Sequence, residues 1–100
     1  MAETIVLTRQ RSLVAYLVEK GIVSREVEVV AHATVNDVRD KHLIVATELP
    51  ISLAAAAACV TDIPLVLPSS LRGKKLSAAQ LRRYAGTPVT YIVRESSSPP

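Results

Sequence analysis

The stretch TIVLTRQRSLVAYLVEKG, residues 4–21, decides the predicted fold because it joins a buried strand to a helix. Residues 4–8 form a short, β-branched and apolar run, which is typical of a strand that is covered on both faces. Ser12 predicts the N-cap of the helix that follows, and Gly21 predicts its left-handed C-terminal cap. This stretch therefore predicts one strand–helix unit.

The rest of the chain repeats this alternation. Further strands are predicted at residues 27–31, 43–47, 63–67 and 89–93. One helix is predicted from Pro50 through residues 54–58, and another begins at Ser77, whose spacing to Gln80 forms a capping box. The alternation predicts an α/β fold: a single Rossmann-like three-layer domain with a mostly parallel sheet of about five strands.

Residues 34–42 link two predicted strands and leave the strand order open. The segment is short for a crossover between parallel strands, and a tight loop between antiparallel neighbours is the alternative. No internal repeat divides the chain. We therefore expect one domain over residues 1–94, followed by a disordered polar tail at residues 95–100.

The composition excludes several classes of protein. A hydrophobic content of 49% and a mean hydropathy of +0.29 exclude a disordered chain. The longest apolar stretch, residues 51–60, is too short to cross a bilayer, and the first residues do not have the pattern of a signal peptide. We therefore expect a cytoplasmic protein with no membrane partner.

Individual residue types narrow the chemistry further. Cys59 is the only cysteine, so one chain cannot build a disulfide, and we expect Cys59 to be buried in an alanine-rich helix. Asp37 and Asp40 are interpreted as turn residues without the partners that a divalent metal needs. We therefore expect no metal. Gly-rich phosphate loops are absent, so we expect no cofactor either. Three tyrosines without Phe or Trp favour a compact nucleotide over a long nucleic acid.

Charge is unevenly distributed along the sequence. Residues 63–94 carry six basic residues and no acidic one, a formal charge of +6. The remaining residues carry six basic against nine acidic side chains, or −3, which leaves a net charge of +3. A compact basic surface on a small domain favours phosphate-bearing partners.

Most side chains with useful chemistry follow the predicted strands. In an open parallel sheet, ligands bind beyond the carboxyl ends of the strands, where helix N-termini also point their N–H groups. The side chains predicted to bind ligand there are Thr8, Gln10, Arg11, Ser12, Thr47, Glu48, Ser69, Ser70, Gly73, Lys74 and Lys75. Arg9, His32 and Arg72 lie among them and are the candidates for a catalytic role.

The basic residues are suited to phosphate. Arg9 and Arg11 lie between a strand and a helix start, where side chains and amides together can hold an anion; a solvated basic loop is the alternative. Arg72 and Lys74 are the strongest candidates for phosphate contact, with Gly73 permitting close backbone approach.

The two histidines are expected to differ. His32 directly follows an apolar strand and is a candidate general acid or base near neutral pH. An ordinary buried histidine whose partners are backbone atoms is the alternative for His32. His42, which lies beside Lys41 and ahead of a strand, is expected on the surface.

Several segments in order resemble a known family. They are VLTR (6–9), GI (21–22), VAH (30–32), LP (49–50) with LAA (53–55), and above all LVLP (65–68) followed by RGKKLSA (72–78). Together they resemble the Csx-sixteen family, small CRISPR-associated accessory proteins of type III systems. The family pattern has a histidine where this chain has Gln10 and a glutamate where it has Lys75.

The resemblance implies a ring nuclease, which cleaves the cyclic oligoadenylate second messenger, in particular the ring of four, and switches off the antiviral signal. The expected mechanism is metal-independent: a ribose 2′-hydroxyl attacks the neighbouring phosphate, with Arg9, His32 and Arg72 as catalytic residues. A two-fold symmetric ring fits across the interface of a homodimer.

Two other classes of function remain open. A non-catalytic protein that sequesters the same messenger would use the same basic residues, and the missing histidine favours it. A protein-interaction subunit whose basic face meets an acidic partner or a crRNA complex is the third possibility.

Overall fold

The computed structural model describes residues 3–46 and 49–96 and contains a five-stranded sheet with helices on both faces. The strands are β1 (Thr4–Leu7), β2 (Glu28–Val30), β3 (His42–Val45), β4 (Cys59–Asp62) and β5 (Val89–Tyr91). The α-helices are α1 (Arg11–Glu19), α2 (Val35–Val38), α3 (Ile51–Ala56) and α4 (Ala78–Tyr84), and a 3-10 helix covers Ser69–Leu71. The predicted α/β class, with a mostly parallel sheet, is confirmed.

The strand order is β2-β1-β3-β4-β5, with β1 to β4 parallel and β5 antiparallel to β4. β1 is followed by its neighbour on one side, β2, and the chain then crosses to β3 on the other side of β1. The connection from β2 to β3 contains α2 and joins two strands that are both parallel to β1, so residues 34–42 belong to a crossover between parallel strands. The alternative, a tight loop between antiparallel neighbours, is wrong.

Successive residues of the inner strands point to opposite faces and supply two cores. Ile5 and Leu43 pack with Leu53 of α3 on one face of the sheet. Val6 and Ile44 pack on the other face, together with residues of α1 and α4. The strands are apolar on both sides because both faces are covered.

The strand predicted at residues 63–67 is wrong, because β4 lies earlier, at Cys59–Asp62. The Ala58 amide donates to the Lys41 carbonyl (2.8 Å), so the chain joins the edge of β3 directly after the alanine run. Pro64 has no N–H to continue the ladder beyond this point. Cys59 is therefore the half-buried first residue of β4 and is not part of a helix.

The predicted helix caps are confirmed where the capping residues are close to one another in the sequence. Ser77 Oγ accepts from the Gln80 amide (3.2 Å) and Gln80 Oε1 accepts from the Ser77 amide (2.9 Å), so the capping box is confirmed. Gly21 has φ +72° after α1, as predicted. Ser12 is not a cap, because α1 already begins at Arg11 and Gln10 occupies the N-cap position.

Two further expectations concern the chain as a whole. Within the described ranges, no helix is long and apolar enough to cross a membrane. Residues 97–100 of the predicted tail lie outside the described residues.

Candidate anion-binding site

The loops after β1 and β2 meet at the carboxyl end of the sheet. The chain leaves β1 toward β2 on one side and leaves β3 toward β4 on the other, so the β1/β3 boundary is the switch point at which open α/β sheets bind ligands. The Thr8 amide donates to the Val30 carbonyl (2.9 Å) and holds the two loops together. Arg9 directly follows Thr8, and His32 lies two residues after Val30.

Arg9 and His32 are in contact at this position. Arg9 Nη2 lies 3.4 Å from both ring nitrogens of His32, and both side chains are exposed. A guanidinium has only donors, so only the ring nitrogen without a proton can accept in this contact. The structure thus places a fixed cation beside a group that can exchange a proton, and His32 is not the buried histidine of the alternative interpretation.

Gln10 attaches the basic segment to this end of the sheet. Its backbone amide donates to Thr8 Oγ1 (3.0 Å), and its Oε1 accepts from the Leu76 amide (3.1 Å). The second bond joins positions separated by 66 residues. As a result Lys75, directly before Leu76, lines the same cleft as Arg9.

Two clefts lie on either side of Arg9 and Gln10, which line both. The first, of about 350 Å³, is also lined by Arg11, Ser12 and Lys75. This cleft therefore carries two guanidinium groups and an ammonium group at the start of α1.

The second cleft, of about 470 Å³, is lined on the other side of Arg9 by Thr8, His32 and Pro50, among other residues. Pro50 was not predicted as a site residue, although it follows β3 and the rule about carboxyl ends of strands could have found it. The two clefts together border the ends of β1 and β2 and the start of α3.

The remaining predicted site residues lie on the segment that leads to Lys75. Arg72 and Lys74 are exposed, and their amides donate to the carbonyls of Ser69 (3.4 Å) and Leu71 (3.2 Å). Gly73 has φ +75° and open space around its Cα, so it is needed for the turn of the backbone. These residues, with Ser70, line neither cleft; Thr47 and Glu48 lie outside the described residues.

The cations of this region lack acidic partners within residues 3–46 and 49–96. Arg9, Arg11, Arg72, Lys74 and Lys75 form no ion pair there. Side chains of like charge that are held close without counter-charges raise the local concentration of anions. In the same two ranges, no three His, Cys, Asp or Glu side chains lie close enough to hold a metal ion together.

The fold and this site define a small α/β protein with a basic cleft at the carboxyl end of its sheet. Residues 5–94 match the model of the family described as "Putative CRISPR-associated protein (Cas_VVA1548)". The chain belongs to this CRISPR-associated family. No curated protein and no solved structure matches it.

Proposed function

We propose that this protein is a ring nuclease of the Csx-sixteen type, which binds cyclic oligoadenylate at the carboxyl end of its sheet and opens the ring. The observation that carries the proposal is the Arg9–His32 contact, which lies between two clefts and beside cations without acidic partners. Membership of a CRISPR-associated family supports a substrate that belongs to antiviral signalling.

The size of the clefts supports a compact substrate that is shared between two subunits. Volumes of about 350 and 470 Å³ lie toward the lower end of the range of small-molecule sites, roughly 300–1,000 Å³. A cleft of this size suits one nucleotide unit. A ring of four adenylates would therefore extend beyond one subunit, and a two-fold homodimer would offer two matching halves.

The proposed chemistry uses the ribose as its own nucleophile and requires no metal. The 2′-oxygen attacks the adjacent phosphorus and loses its proton, the bond from phosphorus to the 5′-oxygen breaks, and the 5′-oxygen gains a proton. The products are a 2′,3′-cyclic phosphate and a 5′-hydroxyl. Arg9, with Lys75 of the same cleft, would stabilise the phosphorane charge, and His32 would move a proton.

A non-catalytic binder is the second candidate, and Gln10 favours it. Gln10 occupies the position where the resembling family has a histidine, and its Oε1 is bonded to the Leu76 amide. Gln10 therefore acts as an anchor of the basic segment and has no group that can exchange a proton near neutral pH. Cleavage depends on His32 if it occurs.

A single-turnover assay separates the candidates. Excess protein is mixed with labelled rings of three, four and six adenylates in the presence of a metal chelator, and products are resolved by chromatography. Conversion of the four-membered ring to linear products that end in a 2′,3′-cyclic phosphate supports the enzyme. A retained but intact ring supports the binder, and absence of both binding and cleavage overturns both.

A further inference from the structure

The two clefts beside Arg9 differ in the chemistry of their walls. The cationic cleft is the one at the start of α1, and its charged lining residues are Arg9, Arg11 and Lys75. The Pro50 cleft lies on the other side of Arg9, and many of its described lining residues are apolar, namely Leu7, Ala31, Ala33 and Pro50. Adjoining clefts of this kind match a ligand that carries an anionic group next to an apolar ring system.

The apolar wall of the Pro50 cleft is formed where three elements meet. Leu7 is the last residue of β1, Ala31 and Ala33 follow β2, and Pro50 is the N-cap residue of α3. Leu7 and Ala33 also pack against the core, so the floor of the cleft is fixed by the sheet. Ala31 and Pro50 are exposed. Because the alanine side chains are small, a flat ring can lie against this wall.

No tyrosine offers a stacking surface in either cleft. Tyr16 is buried in the core, and Tyr84 and Tyr91, which also belong to the described part of the chain, line neither cleft. A base in the Pro50 cleft would therefore rest on aliphatic side chains and on the proline ring. Such contacts give less affinity than stacking on an aromatic ring. The phosphate should therefore supply most of the affinity, and the base should mainly orient the ligand.

Arg9 and Gln10 form the wall between the two clefts, because both residues line each of them. His32 lines the Pro50 cleft, and Arg9 Nη2 lies 3.4 Å from its ring nitrogens. A nucleotide with its base in the Pro50 cleft and its 3′-phosphate in the cationic cleft would place its ribose beside Arg9 and His32. The 2′-hydroxyl of that ribose is the nucleophile of the proposed reaction.

We infer that the Pro50 cleft binds the base of the nucleotide unit whose 3′-phosphate occupies the cationic cleft. That the base is adenine and belongs to a ring rests on the proposed function. The separation of base from phosphate rests on the residues that line the two clefts. Base binding holds the ribose beside His32, so the Pro50 cleft contributes to the rate of cleavage as well as to affinity.

An amide NMR titration with two small probes locates base and phosphate separately. Adenosine 3′-monophosphate carries a base, a ribose and a phosphate, whereas ribose 5-phosphate carries no base. Both probes are expected to shift the amide signals of Arg11 and Lys75, and only adenosine 3′-monophosphate is expected to shift those of Ala31 and Ala33. The same set of shifted signals with both probes, or no shift in either cleft, would overturn the inference.

A substitution that narrows the Pro50 cleft tests it without removing a cation. Ala31→Leu is expected to weaken binding of adenosine 3′-monophosphate roughly 5-fold or more, the lower end of the effect of losing a stacked base, and to leave ribose 5-phosphate binding unchanged. Ala58→Leu is the matched control, because Ala58 is an exposed alanine directly before β4 at the amino end of the sheet. Lys75→Ala is expected to weaken both probes. The amide spectrum shows whether each variant is folded.

Cyclic tetra-adenylate separates failure of this inference from failure of the proposed function. Ala31→Leu is expected to bind the ring more weakly and to cleave it more slowly in single turnover. Wild-type affinity and rate in Ala31→Leu would mean that the base lies elsewhere, although the ring nuclease would stand. If the wild-type protein ignores the ring while adenosine 3′-monophosphate still shifts the signals of both clefts, the ring nuclease fails and the base cleft stands.

Discussion

The two ends of the sheet differ in whether their basic side chains form ion pairs. At the amino end, Lys41 Nζ lies 3.8 Å from Glu3 and 3.6 Å from Glu28, so this cation is neutralised. At the carboxyl end, Arg9 and Lys75 line one cleft and form no ion pair within the described ranges. These ion pairs join residues at the amino ends of β1, β2 and β3 and have a structural role. The carboxyl end differs because several cations without acidic partners line one cleft there, where an anion can bind.

The two histidines show the same contrast. His42 Nε2 lies 2.6 Å from Thr61 Oγ1, which in turn lies 2.8 Å from Thr90 Oγ1, so His42 is half-buried within a network across three strands. The expectation that His42 lies on the surface is met only in part, because its side chain is half-buried and bonded to Thr61. His32 is exposed and its contact is Arg9. One histidine is occupied by the fold, and the other is accessible to a ligand.

Replacing each histidine separately with alanine is expected to give the largest difference between the two sites. His32→Ala is expected to slow single-turnover cleavage by roughly 10²-fold or more, with affinity nearly intact, because general acid–base catalysis contributes about that much. His42→Ala is expected to leave cleavage unchanged and to lower the free energy of unfolding by about 1 kcal/mol, since buried Thr61 loses a partner. Unchanged cleavage by His32→Ala would remove His32 from the mechanism.

Removing one cation from either end of the sheet is expected to show the second largest difference, measured as a change in ligand affinity. Arg9→Ala is expected to weaken binding of cyclic tetra-adenylate roughly 10- to 100-fold, the effect of a lost hydrogen bond between charged groups. The dependence of affinity on salt should become less steep, because fewer counterions are released. Arg72→Ala is expected to have a smaller effect in the same direction, because Arg72 lines neither cleft. Lys41→Ala is the control, and fluorescence titrations in which it lost as much affinity as Arg9→Ala would refute the contrast.

A smaller effect is expected at Gln10, which joins the basic segment to the β1 loop. Gln10→Leu removes the acceptor of the Leu76 amide, so we expect about 1 kcal/mol lower stability in urea and weaker binding. Gln10→Glu keeps an acceptor and adds a negative charge, so stability should be retained while affinity still falls. Wild-type affinity in both variants would show that this anchor does not shape the site.

The smallest effect concerns Asp37, the acidic residue that follows His32 most closely in the sequence. The Thr34 backbone N–H and hydroxyl donate to its Oδ2 (2.7 and 3.0 Å) and lower the pKa of the Asp37 carboxyl. Its stabilising contribution is therefore complete above the unfolded pKa of about 3.9 and is lost as pH falls through the lower folded pKa. Asp37→Asn should flatten the acid limb of the curve of stability against pH, followed by urea unfolding.

Cleavage at neutral pH provides the control for Asp37→Asn. Asp37 is held by Thr34 and lines neither cleft, so the rate should equal that of the wild-type protein. A slower reaction would mean that the carboxyl end of the sheet uses an acid after all. An acid limb as steep as that of the wild-type protein would contradict the role of the Thr34 contacts.

Several features could be predicted because neighbouring atoms produce them. The Ser77–Gln80 capping box and the left-handed cap at Gly21 depend on residues within one helical turn. The apolar pattern of residues 4–21 likewise predicted β1 followed by α1. In the site, Arg9 and His32 were found because they follow strand ends, and Lys75 was found because it belongs to the basic run at residues 72–75.

Other features depended on partners distant in the chain. The alanine run gives way to β4 because Ala58 bonds to Lys41, an interaction that helix propensity does not contain. Gln10 becomes an anchor only because Leu76 is brought 66 positions back to it. His42 contacts Thr61, and Thr61 contacts Thr90, because β3, β4 and β5 are neighbours in the sheet.

Residue types and their spacing were thus enough to establish the α/β class, the helix caps and the basic character of residues 63–94. Packing alone decided which cations remained without acidic partners, which histidine stayed exposed and where β4 began. The physical reason is range: propensities and caps act within a few residues, whereas strand pairing and the meeting of loops join positions that only the folded chain makes adjacent.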